Sequence, residues 1–226
     1  MSVAPAAIAL PTPDRLLAAA TELFAGRGFH GTSIREIAER AGANVAAGHY
    51  HYGSKEGLYL EVLRDQFAKV RATLDRRGAT RPRTALRTAS RRELALLLEA
   101  RIAAMADLLL GPPPQPHGAL MLREMCDPTE ALPMIVAEFI RPQVQEMEAI
   151  VSRLIPRAGR DAVRRAVFSI VGQVLFYRFT MPALALLDPS ISGRGFSRRI
   201  ARHVTRFSLG GLGQITKRRT ERRRGY

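Results

Sequence analysis

His49 and His51 fall two residues apart on a stretch of helical spacing, so their rings lie on different faces and are not expected to share a metal ion. Cys126 is the only cysteine; it has no partner for a disulfide and no second thiol to resolve an oxidised state. No glycine-rich phosphate loop, metal-ligand cluster or nucleophile and base pair can be assembled from the sequence, so neither catalysis nor a cofactor is expected. Cap chemistry stands out instead. Ser33-Ile34-Arg35-Glu36 reads as a capping box, in which serine and glutamate each satisfy an unpaired backbone N–H. Asn44 caps a second short helix, Val45 to about Tyr52, and Ser54 caps a longer one beginning near Lys55. Between the short helices, Ala41-Gly42-Ala43 supplies a tight turn, with Gly42 as its permissive backbone. The pair forms a helix-turn-helix whose second member is narrow enough for the major groove of DNA.

These caps need a frame around them. Thr12 is expected to cap a first helix with Pro13 at its first position, carrying Leu16, Leu17, Ala20, Leu23 and Phe24 until Gly26 and Gly28 stop it. Tyr50 and Tyr52 are expected to pack helix three against helices one and four, with Tyr59 in the core. The fourth helix runs to about Asp75 on Leu58, Leu60, Val62, Leu63, Phe67 and Val70. An arginine-rich stretch, 76–92, reads as a linker whose arginines are a solvated surface or further phosphate contacts. A helix capped by Ser90 with Glu93 then runs to Gly111, and the prolines of 112–116 force a surface loop. A short helix, Ala119 to Met125, is followed by a helix start at Asp127-Pro128-Thr129-Glu130 and a helix to Leu154 bent by Pro142. Residues 161 to about 181 are apolar on most sides, as in a buried or interface helix, and Pro182 kinks or ends it. A last helix spans roughly Phe196 to Leu209. No strand and no internal repeat is expected. The fold class is therefore all-α, with a three-helix DNA-binding domain at 12–58, a larger helical effector-binding and dimerisation domain at 59–209, a disordered arm at 1–11 and a basic disordered tail at 210–226.

The net charge of +15 is unevenly placed. Residues 1–58 carry five basic and five acidic side chains, 59–101 eleven and five, 102–190 eight and nine, and 191–226 eleven and one. Charge alone thus supports DNA binding by the first segment only weakly, and the motif must carry that reading. The longest uncharged apolar stretch, Ala166 to Tyr177, falls short of the ~18 residues of a membrane span, so no membrane partner is expected. With one cysteine and no secretory signal pattern at the N-terminus, a reducing cytoplasm is the expected compartment.

The stretch LLAAATELFAGRGFHGTSIREIAERAGANVAAGHYHYGSKEGLYLEVL resembles the DNA-binding domain of the TetR family of regulators. ANVAAGHYHYGSKEGLY, together with REMCDPTEALPMIVAEFIRPQ, is further similar to a CecR-like branch with its own C-terminal domain. The resemblance implies a ligand-responsive homodimer, a repressor released from a palindromic operator by a small molecule. It places groove readers at Val45, Ala46 and His49 and phosphate contacts at Thr32, Arg35 and Lys55, with Ser33, Asn44 and Tyr50 completing the DNA-binding set. Val45 and Ala46 offer only apolar contact to thymine methyls or sugar edges, whereas His49 and Arg35 can hydrogen-bond. At Gly48 the family usually has a bulky apolar residue; glycine leaves a packing gap and a less rigid helix.

Behind the motif, Met105, Met121 and Met125 with Leu109, Phe139, Phe168, Val171 and Leu175 are expected to line a pocket for a small apolar or amphiphilic effector. Self-association is expected through 161–181 and 196–209 as a four-helix contact. The competing readings are a nonspecific nucleic-acid binder driven by the basic tail and, more weakly, an enzyme using the C-terminal helical cavity.

Overall fold

A computed structural model describes residues 11–112, 115–188, 191, 193 and 195–221. All regular structure among them is helical: α1 (Thr12–Arg27), α2 (Ile34–Ala41), α3 (Val45–Tyr52), α4 (Lys55–Arg76), α5 (Arg83–Thr88), α6 (Arg91–Leu110), α7 (Pro116–Cys126), α8 (Leu132–Ile135), a π turn (Val136–Ile140), α9 (Arg141–Leu154), α10 (Arg160–Leu187) and α11 (Phe196–Glu221). The expected arm, and the tail beyond residue 221, lie outside the described residues.

The chain divides into two compact units, one of residues up to Ala68 plus Pro116–Leu132, the other of Lys69–Gln115 plus the chain from Pro133 onward. In the first, α1 packs on α2, α3 and α7. Leu16, Ala20, Phe24, Ile37, Ala38, Leu58, Leu63 and Leu120 are closed from solvent. Phe24 meets Tyr59 edge-on at 4.9 Å between ring centroids, and Phe29 stacks at 6.1 Å from Phe24, a geometry that suits aromatic quadrupoles. The segment 116–132 comes from the middle of the sequence, yet its contacts belong with the first helices.

In the second unit α6 packs on α9, α10 and α11. Leu94, Leu98, Ile102, Ile150, Leu154, Val167, Val174 and Val204 form its continuous core. The Ser90 and Glu93 capping box of α6 is present in both directions. Pro142 does not simply bend its helix. Lacking an N–H, it cannot continue the ladder, and just before it the Arg141 N–H bonds Val136 five residues back, the widened turn of a π segment.

Six boundaries differ from the sequence expectation, one of them the start of α7, at Pro116 inside the expected proline loop rather than at Ala119. Thr12 is not a cap: Pro11 precedes the helix without a side-chain bond, and the Thr12 hydroxyl accepts from Arg15 at 3.3 Å. Within 76–92 a short helix forms, α5. Asp127–Glu130 starts no helix; Thr129 turns back to donate to Glu124, and helix begins at Leu132. Pro182 lies inside α10, which continues to Leu187. Past Gly210, α11 continues to Glu221 because Leu209 and Leu212 pack on the core, and that packing overrides the weak propensity of Gly210, Gly211 and Gly213.

By length and composition α10 is apolar enough to cross a bilayer. The uncharged-run criterion missed it because Arg178 alone ends the run inside a still apolar window. Only 11% of that window is buried in the single chain, and α10 exposes Phe168 (54%), Phe179 and Leu186. Positions 168, 172, 175, 179 and 186 recur at helical spacing and share one stripe. On α11, Phe207 is exposed as well. Gln173 of α10 donates to Ser208 of α11 at 3.2 Å.

Candidate nucleic-acid interface

At the start of α2, the Ser33 hydroxyl accepts from the Glu36 N–H at 3.2 Å and donates to its carboxylate at 2.8 Å, while the Ser33 N–H donates to the same oxygen at 2.8 Å. Those bonds from Ser33, with the Arg27 guanidinium 2.8 Å away, hold the Glu36 carboxyl below the usual carboxylate range. Gly42 then takes the left-handed conformation (φ 59°, ψ 41°), and Ala43 N–H closes the turn on the Ala38 carbonyl at 2.9 Å. The Asn44 side chain accepts from Ala46 N–H at 3.0 Å and starts α3.

The outward side of α3 carries Val45, Ala46, His49 and Tyr50, positions that fall within one arc of a helix. Tyr50 is 85% exposed, so it is not the packing residue expected of it; the partner that ties α3 down is Tyr52, whose hydroxyl donates to the Pro13 carbonyl at 2.9 Å. His49 Nδ1 lies 3.1 Å from the Gly53 carbonyl. A carbonyl only accepts, so that nitrogen carries the hydrogen and Nε2 of the neutral ring is left as an acceptor. Such a ring can receive a hydrogen bond from an amino group of cytosine or adenine.

The α3–α4 junction is sterically fixed. A Cβ on Gly57 would stand 2.2 Å from the Tyr52 carbonyl oxygen, so only glycine permits this approach of α4 to the end of α3. Ser54 caps α4 by accepting from Gly57 N–H at 3.1 Å. Gly48 is the opposite case. It is buried, and a methyl there would meet Ile34 Cγ2 at 3.8 Å, ordinary contact. Gly48→Ala is therefore expected to raise stability by about 0.5–1 kcal/mol and to slow amide hydrogen exchange across α3, measured by thermal unfolding and exchange mass spectrometry.

The expected phosphate-facing residues divide. Thr32 is 3% exposed and its hydroxyl donates to the Gly28 carbonyl at 2.9 Å, so its side chain is engaged inside the unit rather than offered to a phosphate. Ser33 and Asn44 have their side chains engaged as caps and act by positioning the helices. Arg35 is open to solvent, paired with Glu39 at 3.0 Å. Lys55 Nζ lies 4.3 Å from the centre of the Phe29 ring, a cation–π contact at the start of α4. Arg27 and Arg40 are ion-paired with Glu36 and Glu22. Among the described residues no group of three His, Cys, Asp or Glu is placed to hold a metal ion.

Two residues of this unit carried no functional expectation. Arg123 of α7 donates through Nε to the Ala25 carbonyl at 3.1 Å and through its terminal nitrogen to Gly26, closing the last carbonyls of α1 with a positive charge. Glu124, 1% exposed, accepts from Tyr59 Oη at 2.6 Å, Thr129 Oγ1 at 2.8 Å and Thr129 N–H at 3.2 Å. Burial, then the bond to and charge of Glu124, push the Tyr59 phenol far above its ordinary range.

The expected effector residues fall in different clusters and in both units. Met105, Leu109 and Val171 pack half-buried on the main core of the second unit, and Phe139 packs on a smaller cluster with Val70 and Leu74. Phe168 faces solvent, while Met121 and Met125 lie on α7 in the first unit, Met125 exposed. A cleft of about 470 Å³ lies between α5, α9 and the start of α10 in the second unit.

Residues 16–62 match the family described as bacterial regulatory proteins, tetR family, and residues 94–212 match the C-terminal domain of the HTH-type transcriptional dual regulator CecR. Over 57 residues the chain is 46% identical to the HTH-type transcriptional activator FasR of Mycolicibacterium smegmatis, a match covering 24% of this chain and 26% of that protein. Over 49 residues it is 47% identical to the HTH-type transcriptional regulator RutR of Escherichia coli K12, covering 22% and 23%. The chain thus spans about a quarter of the length of these curated relatives. In fold it is similar to a transcriptional regulator from Pseudomonas aeruginosa PAO1 (TM-score 0.68, 18% identity, 91% of this chain and 92% of that one). It is also similar to AibR, solved with isovaleryl coenzyme A and operator DNA (TM-score 0.63, 18% identity, 86% and 96%).

Proposed function

The chain belongs to the TetR family of bacterial regulatory proteins, with a C-terminal domain of the CecR type, and on that premise we propose that it is a ligand-responsive DNA-binding regulator. It binds a palindromic operator as a homodimer and acts as a repressor that a small apolar or amphiphilic effector releases. The observation that carries this reading is the outward row Val45, Ala46, His49 and Tyr50 on a short helix capped at both ends. Val45 and Ala46 touch thymine methyls, His49 receives an amino hydrogen, and Tyr50 supplies a hydroxyl and a ring edge to the groove. Arg35 and Lys55 meet phosphates flanking it.

The second copy is proposed to cover the exposed stripe of α10 and Phe207 of α11. An apolar stripe carrying Phe168, Phe179 and Leu186 is costly to leave in water, and a self-complementary helix pair buries it against its equal. Two recognition helices then stand at a fixed spacing, and an effector held among the half-buried Met105, Leu109 and Val171 changes that spacing; Leu175, which the sequence also offered, falls on the stripe the second copy covers. AibR, solved with an acyl coenzyme A and operator DNA, is a protein of similar fold in which both kinds of ligand occur together.

Selection of bound fragments from random duplex DNA, with light scattering on the same samples, tests the proposal. A palindrome with half-sites one helical turn or a multiple apart is expected, bound by a dimer at micromolar concentration. His49→Ala and Tyr50→Ala should each weaken it roughly tenfold to a hundredfold. Phe168→Glu with Phe179→Glu should give a folded monomer that no longer selects the palindrome. Recovery of unrelated sequences, with binding lost on deletion of residues 217–226, which removes the basic residues of the tail and leaves Leu212 in place, would instead establish the nonspecific reading.

A further inference from the structure

We propose that the cleft between α5, α9 and the first turn of α10 is a binding site for a phosphate monoester carrying a short apolar group. This goes beyond the regulator reading, since none of its residues belongs to the DNA-binding set or to the expected effector set. Its lining is amphiphilic in an ordered way. Leu86 and Val163, both buried members of the core, together with Ala149 and Ala158, form an apolar floor. Arg87 of α5, Arg153 of α9 and Arg160 of α10 stand around it. None of these three guanidiniums is within ion-pair distance of a carboxylate among the described residues; Arg153 has only a 3.5 Å contact to the Ala89 carbonyl. The single acid in the lining, Glu148, is engaged by Arg164 at 2.9 Å.

Three like charges held around one concavity repel one another, and an anion between them relieves that repulsion as it binds. The arginines come from three different elements. A phosphate dianion offers three oxygens to three guanidiniums, whereas a carboxylate offers two and satisfies fewer of them. The N-cap of α10 is Gly159, with no side-chain cap bond, and the first turn carries Asp161 beside Arg160, so the arginines rather than the helix end supply the positive charge of the cleft. An alkyl group on the ester covers the alanines, leucine and valine of the floor, and the volume suits a small metabolite. This assigns part of the excess charge of the arginine-rich stretch 76–92.

Titration calorimetry on the full-length protein at 50 mM salt tests the assignment with hexyl phosphate, inorganic phosphate, hexanoate and a short DNA duplex. Hexyl phosphate is expected to bind one per chain, roughly tenfold or more tighter than inorganic phosphate or hexanoate. The triple change Arg87→Gln, Arg153→Gln and Arg160→Gln should weaken it at least about tenfold, whereas Arg64→Gln, Arg71→Gln and Arg141→Gln, an equal loss of charge outside the cleft and the self-association segments, should leave it unchanged. Ser152→Trp, at an exposed position of α9, should block the cleft with no change of charge. The proposal is overturned by equal losses in both triple variants, by hexyl phosphate binding no tighter than inorganic phosphate, by binding that survives Ser152→Trp, or by displacement with the duplex.

Discussion

Glu124→Ala is expected to lower stability by about 3–5 kcal/mol and to abolish operator binding near physiological temperature. The substitution removes an acceptor that is closed from solvent and receives three donors, Tyr59 Oη, Thr129 Oγ1 and Thr129 N–H. Each stranded donor costs about 1–3 kcal/mol, and the vacated volume adds a cavity cost. Urea unfolding and operator gel shift measure the two effects. Glu124→Gln retains shape and one acceptor but turns an amide N–H₂ toward a donor, so its loss should be intermediate. Tyr59→Phe separates the hydroxyl from the rest. The native fold holds the Tyr59 phenol neutral, with its pKa raised above that of the unfolded chain. Its contribution is therefore complete below about pH 10 and is lost as pH rises above that, by about 1.4 kcal/mol per unit. Tyr59→Phe should flatten that alkaline limb while leaving the neutral-pH fold intact.

The helix-turn-helix was legible because its determinants are local. Ser33 and Glu36 are three residues apart, Asn44 caps the next turn, and Gly42 is the one residue suited to a left-handed turn between them. Side-chain destinations were less legible, because Thr32, Lys55 and Tyr50 are decided by tertiary neighbours. Thr32 finds the Gly28 carbonyl, Lys55 finds the Phe29 ring, and Tyr50 meets the neighbouring His51 ring edge-on while staying open to solvent. The effector residues were chosen by residue type, and apolar type does not distinguish core, interface and pocket; Phe168 is exposed while Met105 is half-buried. The long-range placement of α7 had a faint signal. Glu124 follows Leu120 by four residues, so a carboxylate falls on the helix face that a fully buried leucine occupies. A charge on an apolar stripe asks for partners, and here they are sixty-five residues back, at Tyr59, and five ahead, at Thr129.

Arg101 has the same signature in the second unit, and its removal is the other large effect expected. It lies on the stripe of Leu94, Leu98 and Met105, seven residues after the first and four before the last, and is 5% exposed. Its guanidinium donates to the Ala79 carbonyl at 3.0 Å, to Glu146 at 2.5 Å and to Gln143 at 2.8 Å. One side chain thus joins α6 to α9 and to the turn after α4, and no apolar residue of similar length bonds any of the three. Arg101→Ala leaves a buried carbonyl and a half-exposed carboxylate without their donor and empties the space of a long side chain, so a loss of about 3–5 kcal/mol is expected. Arg101→Met restores much of the volume without the donors and should recover about 1–2 kcal/mol of it. If instead Arg101→Met equals or exceeds the parent in urea, the three bonds only offset the cost of burying the charge. Combining Arg101→Met with Glu146→Gln separates the two cases, because the double variant should be no less stable than the single one only where Glu146 was left unpaired by the first change.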